Sequence, residues 1–184
     1  MRRFAFIAPL AAVLAVSGAA HAQPDRQPSR DLQPSPDLQS SMARAPEVVV
    51  ALGPEVVKDI DKLGQREVLE QVNQLGAAVR RELARSGALE GAEVYLTITD
   101  LKPNRPTFQQ TIDRPGLSVF DSVSIGGATI EGEVITADGE RLPIRYSRYS
   151  NSIRDVIGYA VWQDAGTAYR RLASNISTGR LTSH

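Results

Sequence analysis

The stretch Glu93-Val-Tyr-Leu-Thr-Ile-Thr-Asp100 decides the fold class, because apolar and polar side chains alternate along it. Val94, Leu96 and Ile98 point to one side of an extended chain, and the tyrosine and threonines between them point to the other. This period of two predicts a strand that is buried on one face and exposed on the other. Such strands form antiparallel or mixed sheets that helices cover on a single face.

A β-hairpin follows further along the chain. Residues 122–136 return to a strand pattern, and Asp138-Gly139 joins them to a last strand over residues 142–149. An Asp-Gly pair between two such runs is a strong hairpin signal. Gly126-Gly127 predicts a bulge or bend in the first of these strands, and Pro143 predicts an edge position for the second.

Two helices are predicted from apolar side chains that lie three and four residues apart. One covers residues 65–86 and ends before Gly87, a natural C-terminal cap. The other covers residues 161–176. A first strand, Glu47–Leu52, precedes both helices and is closed by Gly53-Pro54.

The element order is therefore strand, helix, strand, long loop, hairpin and helix. It predicts an α+β fold in which two amphipathic helices pack on one face of a largely antiparallel sheet of about four strands. The first helix and the strands on either side of it fit a split βαβ unit. Residues 47–178 are expected to form this single domain, and residues 179–184 a C-terminal tail.

The first 22 residues have the three parts of an export signal. Two arginines precede an apolar run over residues 4–20, and Ala20-His21-Ala22 fits a signal-peptidase site. An uncleaved signal anchor is the alternative interpretation. We therefore expect a periplasmic protein that begins at Gln23 after cleavage, with secretion beyond the periplasm left open.

Residues 23–46 contain five prolines and almost no large apolar side chains. A segment of this composition buries too little surface to offset the entropy of ordering. We expect a disordered linker, rich in proline, glutamine and serine, between the signal peptide and the domain.

Composition excludes several kinds of chemistry. The chain has no cysteine, which rules out disulfides, thiolate metal sites, cysteine nucleophiles and a lipid attached to cysteine. Its two histidines are His21, in the signal, and His184, the last residue, which leaves none for a catalytic triad or a zinc site inside the domain. We expect no metal, no cofactor and no enzymatic activity.

Charge and hydropathy limit the partners. The chain carries 21 Lys and Arg against 21 Asp and Glu, so it lacks the basic excess typical of nucleic-acid binding. Beyond the signal, no apolar run approaches the roughly 20 residues that span a bilayer. We expect a soluble mature protein that has no transmembrane anchor and binds no nucleic acid.

The candidate binding residues lie on the long loop and on the last strand. Arg105 is predicted as a polar contact, and Phe108 and Phe120 as apolar anchors, because long irregular segments inside compact domains are usually functional. Arg145 and Tyr149 belong to the strand where arginines and tyrosines alternate. Two alternatives stay open: the phenylalanines pin the loop to the core, and the arginines protect a sheet edge.

Glu131 and Glu133 share one side of a predicted strand, as paired catalytic carboxylates would. Ile130 and Val134 occupy the opposite side. The simpler interpretation is that both glutamates form the solvent face of an amphipathic strand.

Several segments together resemble a known group of proteins. They are Tyr95–Asp100, Lys102–Thr107, Ser124–Val134 with Asp138-Gly139, and Trp162–Ala165. The chain resembles uncharacterised exported proteins of Gram-negative bacteria and is similar to a family of envelope lipoproteins of unknown function that share a Gly-Gly-Ala-x-x-Glu-Gly-Glu hairpin. The resemblance implies no catalytic residues, and membrane anchoring does not carry over because this chain has no cysteine to lipidate.

These observations favour a non-enzymatic, soluble periplasmic binding or accessory protein of the cell envelope, whose partner is an envelope protein or a lipid. The alternative is a small-molecule or lipid carrier with an apolar groove next to the 102–121 loop. Leu117, Val119 and Phe120 would line that groove or plug the core. An enzyme that uses carboxylates alone is a third and more distant hypothesis.

Overall fold

The strands form one sheet in which spatial order follows sequence order. The computed structural model describes residues 45–183. Its four main strands are β1 (Glu47–Leu52), β2 (Glu93–Lys102), β3 (Gly127–Ile135) and β4 (Arg141–Tyr149). β1 runs parallel to β2, whereas β2, β3 and β4 are antiparallel to one another. The sheet is thus mostly antiparallel and the fold is α+β, as predicted.

A short fifth strand completes the edge next to β4. β5 (Thr182–Ser183) pairs in parallel with Arg145 and Tyr146. It lies within the segment predicted as a C-terminal tail. The predicted signal peptide and nearly all of the predicted linker lie outside the described residues.

Four α-helices accompany the sheet in the described part of the chain. They are α1 (Pro54–Leu63), α2 (Gln65–Ser86), α3 (Phe108–Asp113) and α4 (Gln163–Ser177), with one turn of 3₁₀ helix over Ile153–Val156. The predictions for α2 and α4 are confirmed within two residues at each end. α2 ends at Gly87, which takes the left-handed conformation expected of a C-terminal cap.

The sequence prediction omitted two helices. The pair Gly53-Pro54 indicated only the end of β1, but Pro54 is the first residue of α1, a position where proline costs no hydrogen bond. The predicted irregular stretch 102–117 contains α3, which is too short to show a helical period. Residues 122–126, predicted as strand, precede β3.

The βαβ unit is continuous rather than split. Val50 of β1 lies directly opposite Leu96 of β2, so no strand is inserted between them. Two helices, α1 and α2, form the connection, and they meet at Gly64 with a backbone φ of 90°, which favours glycine.

One face of the sheet carries the core. Val94, Leu96 and Ile98 of β2 and Ile130 and Val134 of β3 are all buried, as the alternation predicted. α2 and α4 cover this face and pack against each other. Their buried apolar side chains are Val68, Leu75, Val79 and Leu83 of α2 and Ala165, Ala168, Tyr169, Leu172, Ala173 and Ile176 of α4.

The opposite face is open and holds ion pairs. Glu131 lies 3.2 Å from Arg145, and Glu133 lies 2.6 Å from Arg141, each pair joining β3 to β4. The geometry agrees with the solvent-face interpretation of the two glutamates, since their charges are neutralised across the strands.

Two glycines of β3 allow the neighbouring strands β2 and β4 to approach closely, and they do not form a bulge. A Cβ on Gly127 would lie 2.2 Å from the carbonyl oxygen of Arg148, and one on Gly132 would lie 2.0 Å from that of Tyr95. The irregularity in strand register lies instead in β2, between Ile98 and Asp100. The sequence predicted a bulge or a bend at Gly126-Gly127, and the bulge lies in β2 instead.

The buried stripe of α2 should determine stability. Leu75 is fully buried, whereas Leu69 on the same helix is 47% exposed. Leu75→Ala is expected to lower the free energy of unfolding by about 2–5 kcal/mol, because it empties a packed site. Leu69→Ala, the matched control, should change it by no more than about 0.5 kcal/mol. Urea denaturation of both variants measures the difference; equal losses would contradict the packing.

Candidate binding surface

Two loops meet at one end of the sheet. β2 ends at Lys102, β3 begins at Gly127, and β4 ends at Tyr149, and these three residues lie opposite one another across the strands. The connections over residues 103–126 and 150–162 therefore leave the sheet at the same end. We call these two connections, with α3 inside the first, the loop end.

A buried asparagine connects the first loop to α4. The Asn104 backbone N–H donates to the carbonyl oxygen of Val161 at 2.7 Å, and its side-chain amide donates to the Asp164 carboxylate at 2.6 Å. In return, the Asp164 backbone N–H donates to the Asn104 side-chain oxygen at 2.9 Å. Both side chains are buried, so this reciprocal pair is shielded from water.

The same pair also holds the residues that follow β4 and those that precede β3. The Ser150 hydroxyl donates to the Asp164 carboxylate at 2.7 Å, and the Ser124 N–H donates to the carbonyl oxygen of Asn104 at 2.8 Å. A Cβ on Gly126 would lie 2.6 Å from the Asn104 side chain, so glycine is needed there. Both loops and the N-terminus of α4 thus share one polar centre.

Arg105 joins the two loops by a second set of contacts. Its Nε donates to the carbonyl oxygen of Tyr159 at 2.5 Å, and its Nη1 donates to those of Val119 at 2.9 Å and Phe120 at 2.5 Å. The sequence predicted Arg105 as a contact for a partner. The structure places these donors on carbonyl groups of the chain itself, where they hold the loop end in shape.

Glu67 of α2 supports the loop end by accepting two hydrogen bonds from it. α3 begins with a capping box, in which Thr107 and Gln110 satisfy each other's backbone N–H groups. One Glu67 oxygen accepts from the Phe108 N–H and the other from the Trp162 indole N–H, both at 2.9 Å. The Thr-x-x-Gln spacing is the signal that could have identified α3; nothing in the sequence indicates the role of Glu67.

The loop end concentrates exposed apolar side chains. Of the twelve large hydrophobic residues exposed within 45–183, eight lie on these two connections. Phe108 is 72% exposed and Phe120 is 86% exposed, so neither phenylalanine pins the loop to the core. The other six are Ile112, Leu117, Val119, Ile125, Ile153 and Ile157.

A groove of about 310 Å³ lies beside the first loop. Its apolar lining includes Pro103, Pro106, Leu117 and Ile125, and the cationic side chains of Lys102 and Arg114 also contribute. The sequence predicted an apolar groove at this place. Val119 and Phe120, which were expected in it, are not among its lining residues.

Tyr149 belongs to a polar cluster on the open face next to the loop end. Its hydroxyl donates to the Asp100 carboxylate at 2.7 Å and lies 2.9 Å from the Thr129 hydroxyl oxygen. The Lys102 ammonium lies 3.3 Å from Asp100 and 5.3 Å from the centre of the Tyr149 ring. Burial raises the pKa of Tyr149, and the bond to Asp100 acts in the same direction.

Arg145 is separate from the other candidate residues. It lies in the middle of the open face, where Glu131 pairs with it, four positions before Tyr149. The structure thus brings Phe108, Phe120 and Tyr149 to one end of the molecule, but not Arg145.

Metal ligands, a membrane-spanning helix or a known relative would each suggest a function for this surface. Within residues 45–183, no group of three or more Asp, Glu, His or Cys side chains is placed so that it could hold a metal ion. Among the helices of this same range, none is both long enough and apolar enough to cross a bilayer. No protein-family model matches the chain, and no curated protein is similar to it in sequence.

The polar centre should hold the loop end together. Asn104→Ala removes one donor from a buried carboxylate and the acceptor of the Asp164 N–H, so we expect a loss of about 2–4 kcal/mol in unfolding free energy. The Ser124 amide should also exchange its hydrogen faster. Asn151→Ala, at an exposed position, is the control; an equal effect of both changes would contradict the structural role of Asn104.

The raised pKa of Tyr149 has a consequence at alkaline pH. Above about pH 10, the ordinary pKa of tyrosine, the unfolded chain loses a phenol proton that the folded chain keeps. Stability therefore falls as pH rises. Tyr149→Phe removes this contribution, so its unfolding free energy should fall less steeply between about pH 10 and 11. Urea titrations at each pH measure both slopes, and identical slopes would count against the burial of this phenol.

Proposed function

We propose that this protein is a non-enzymatic binding protein of the bacterial cell envelope, which uses the loop end to bind an apolar surface of a partner protein. The N-terminal export pattern and the resemblance to envelope proteins support the location. The observation that carries the proposal is the set of eight exposed apolar side chains at the loop end.

Exposed apolar side chains in one place are unfavourable unless something covers them. Removing such surface from water contributes about 25 cal/mol per Å². Contiguous apolar patches on a protein surface commonly mark interaction sites. Phe108 and Ile112 are one helical turn apart on α3, so a partner can contact both at once.

The loop end is also held in place before any partner binds. Asn104, Arg105 and Glu67 fix its two connections through buried or chain-internal hydrogen bonds. A surface that is already ordered loses little conformational entropy on binding, which favours affinity. This organisation supports a recognition surface over a merely structural loop.

Three of the groups that could serve acid–base chemistry have structural partners instead, which supports a non-enzymatic role. Asp164 is buried and accepts hydrogen bonds from Asn104 and Ser150. Glu131 is paired with an arginine on the neighbouring strand. The raised pKa of Tyr149 keeps its phenol protonated at neutral pH, where it is a poor base.

A carrier of small amphiphiles is the second candidate. The groove beside the loop has an apolar lining together with Lys102 and Arg114, a combination that suits an apolar ligand with an anionic group. Its volume of about 310 Å³ lies at the lower limit of small-molecule sites. We therefore place the partner protein first.

Site-specific photo-crosslinking in cells tests the proposal. A photo-reactive phenylalanine derivative replaces Phe120 in the full chain, and Val57 of α1, which is 51% exposed, is replaced in the control. We expect a discrete protein adduct in the periplasmic fraction from position 120 and not from position 57. Adding Phe108→Ser should weaken the adduct about tenfold or more, since burial of a phenylalanine is worth roughly 1.5–3 kcal/mol.

The melting temperature of each variant distinguishes binding from folding. It should not change for Phe108→Ser, because the side chain is exposed. A lipid adduct at position 120 without a protein adduct would favour the carrier. Equal protein adducts at positions 57 and 120 would refute the loop end as the recognition surface.

A further inference from the structure

Three arginines converge on a polar pocket between β4 and the second half of α4. The pocket has a volume of about 380 Å³ and is formed by residues from three segments. Arg148 comes from β4, Arg171 from α4, and Arg180 from the segment between α4 and β5. Ser147 and Ser174 also line it, and no acidic residue does.

The arginines of β4 differ sharply in how their charges are balanced. Arg141 and Arg145 point to the open face, where Glu133 and Glu131 neutralise them. Arg148 lies opposite Ala128 and has no such partner. Among residues 45–183, no carboxylate lies within ion-pair distance of Arg148, Arg171 or Arg180.

Arg148 also has an unsatisfied donor. Its Nε is buried and makes no hydrogen bond. A buried N–H without an acceptor costs about 1–3 kcal/mol, and more when the group is charged. Arg148 and Arg171 line the same pocket beside Tyr146. Burial raises the pKa of Tyr146, and both cations oppose that rise. Like charges gathered in one pocket repel unless an anion lies between them.

We propose that this pocket, which we call the arginine pocket, binds a phosphate group carried by a small ester or by a lipid headgroup. The planar guanidinium presents N–H donors whose spacing matches the oxygens of a phosphate. A phosphate monoester carries up to two negative charges and several acceptor oxygens, so it can satisfy three guanidinium groups at once. A single carboxylate has one charge and two oxygens and would leave donors unpaired.

The pocket is independent of the proposed function. It uses none of the exposed apolar side chains of the loop end, and the groove beside that loop shares no lining residue with it. A failure of one proposal therefore leaves the other intact.

Titration of the full, isotope-labelled chain with inorganic phosphate tests the pocket by NMR at constant ionic strength. We expect saturable shifts of the Ser147 and Ser174 amides and of the Arg148 Nε–H resonance. Arg171→Gln should weaken binding roughly tenfold to a hundredfold, the usual effect of removing a hydrogen bond to a charged group. Arg148→Gln should have an effect of the same size, and glycerol 3-phosphate should compete for the same site.

Two matched controls keep the test specific. Arg170→Gln removes the charge next to Arg171 in sequence, but Arg170 lines a different depression beside Trp162. Arg145→Gln removes a charge from β4 on the opposite face. Both variants should bind phosphate like the unchanged chain. Shifts that are absent in the unchanged chain, or that persist in Arg171→Gln and Arg148→Gln, would overturn the proposal.

Vesicles distinguish the two sources of the phosphate. Phosphatidylcholine vesicles with and without phosphatidic acid are sedimented with the unchanged chain and with Arg171→Gln. Binding that needs both phosphatidic acid and Arg171, and that inorganic phosphate displaces, identifies a lipid headgroup. Phosphate binding in solution without vesicle binding identifies a small ester. Vesicle binding that is equal in both chains, without phosphate binding in solution, would refute the pocket.

Discussion

The buried pair of Asn104 and Asp164 is the interaction on which the arrangement of this molecule depends. A carboxylate removed from water is costly unless polar groups replace its hydration. Asp164 finds those groups in Asn104 and Ser150, which belong to different connections of the sheet. Because Asp164 must reach Asn104 and Ser150 together, the pair constrains where α4 lies against the two loops. Arg105 and Glu67 then act on a geometry that is already determined.

The sheet shows how one alternating pattern produces two surfaces with different roles. Its apolar side packs against α2 and α4 and supplies the core. Its open side balances charge between β3 and β4, where Glu131 and Arg145 face each other. Near Arg148, the side of the sheet that the helices cover ends in a polar pocket. Within residues 45–183, no carboxylate forms an ion pair with the three arginines of this pocket. The unpaired cations thus lie where the core gives way to solvent, where an anion could reach them.

The strands and helices that have a regular spacing of apolar residues could be predicted from the sequence, and the features without such a spacing could not. Alternation identified β2, and three- and four-residue spacing identified α2 and α4, because burial of one face imposes those periods. α3 has six residues and makes fewer than two turns, so no period is visible. Arg105 bonds only to backbone carbonyl groups, which have no signature in a sequence. Asn104 and Asp164 are 60 positions apart, and their contact follows from the fold alone.

The sequential order of the strands has a kinetic consequence. Each of the four main strands pairs with the strand that precedes or follows it along the chain, so pairing can proceed in steps from the N-terminus as residues become available. The hairpin of β3 and β4 closes a short loop at little cost in entropy, whereas β1 and β2 pair across the two helices that connect them. α4 is the exception, since it packs against α2 across a separation of some 80 residues or more. We expect its docking to be a late step in closing the core, because it closes the longest loop, and α4 is the helix that packs against β3 and β4.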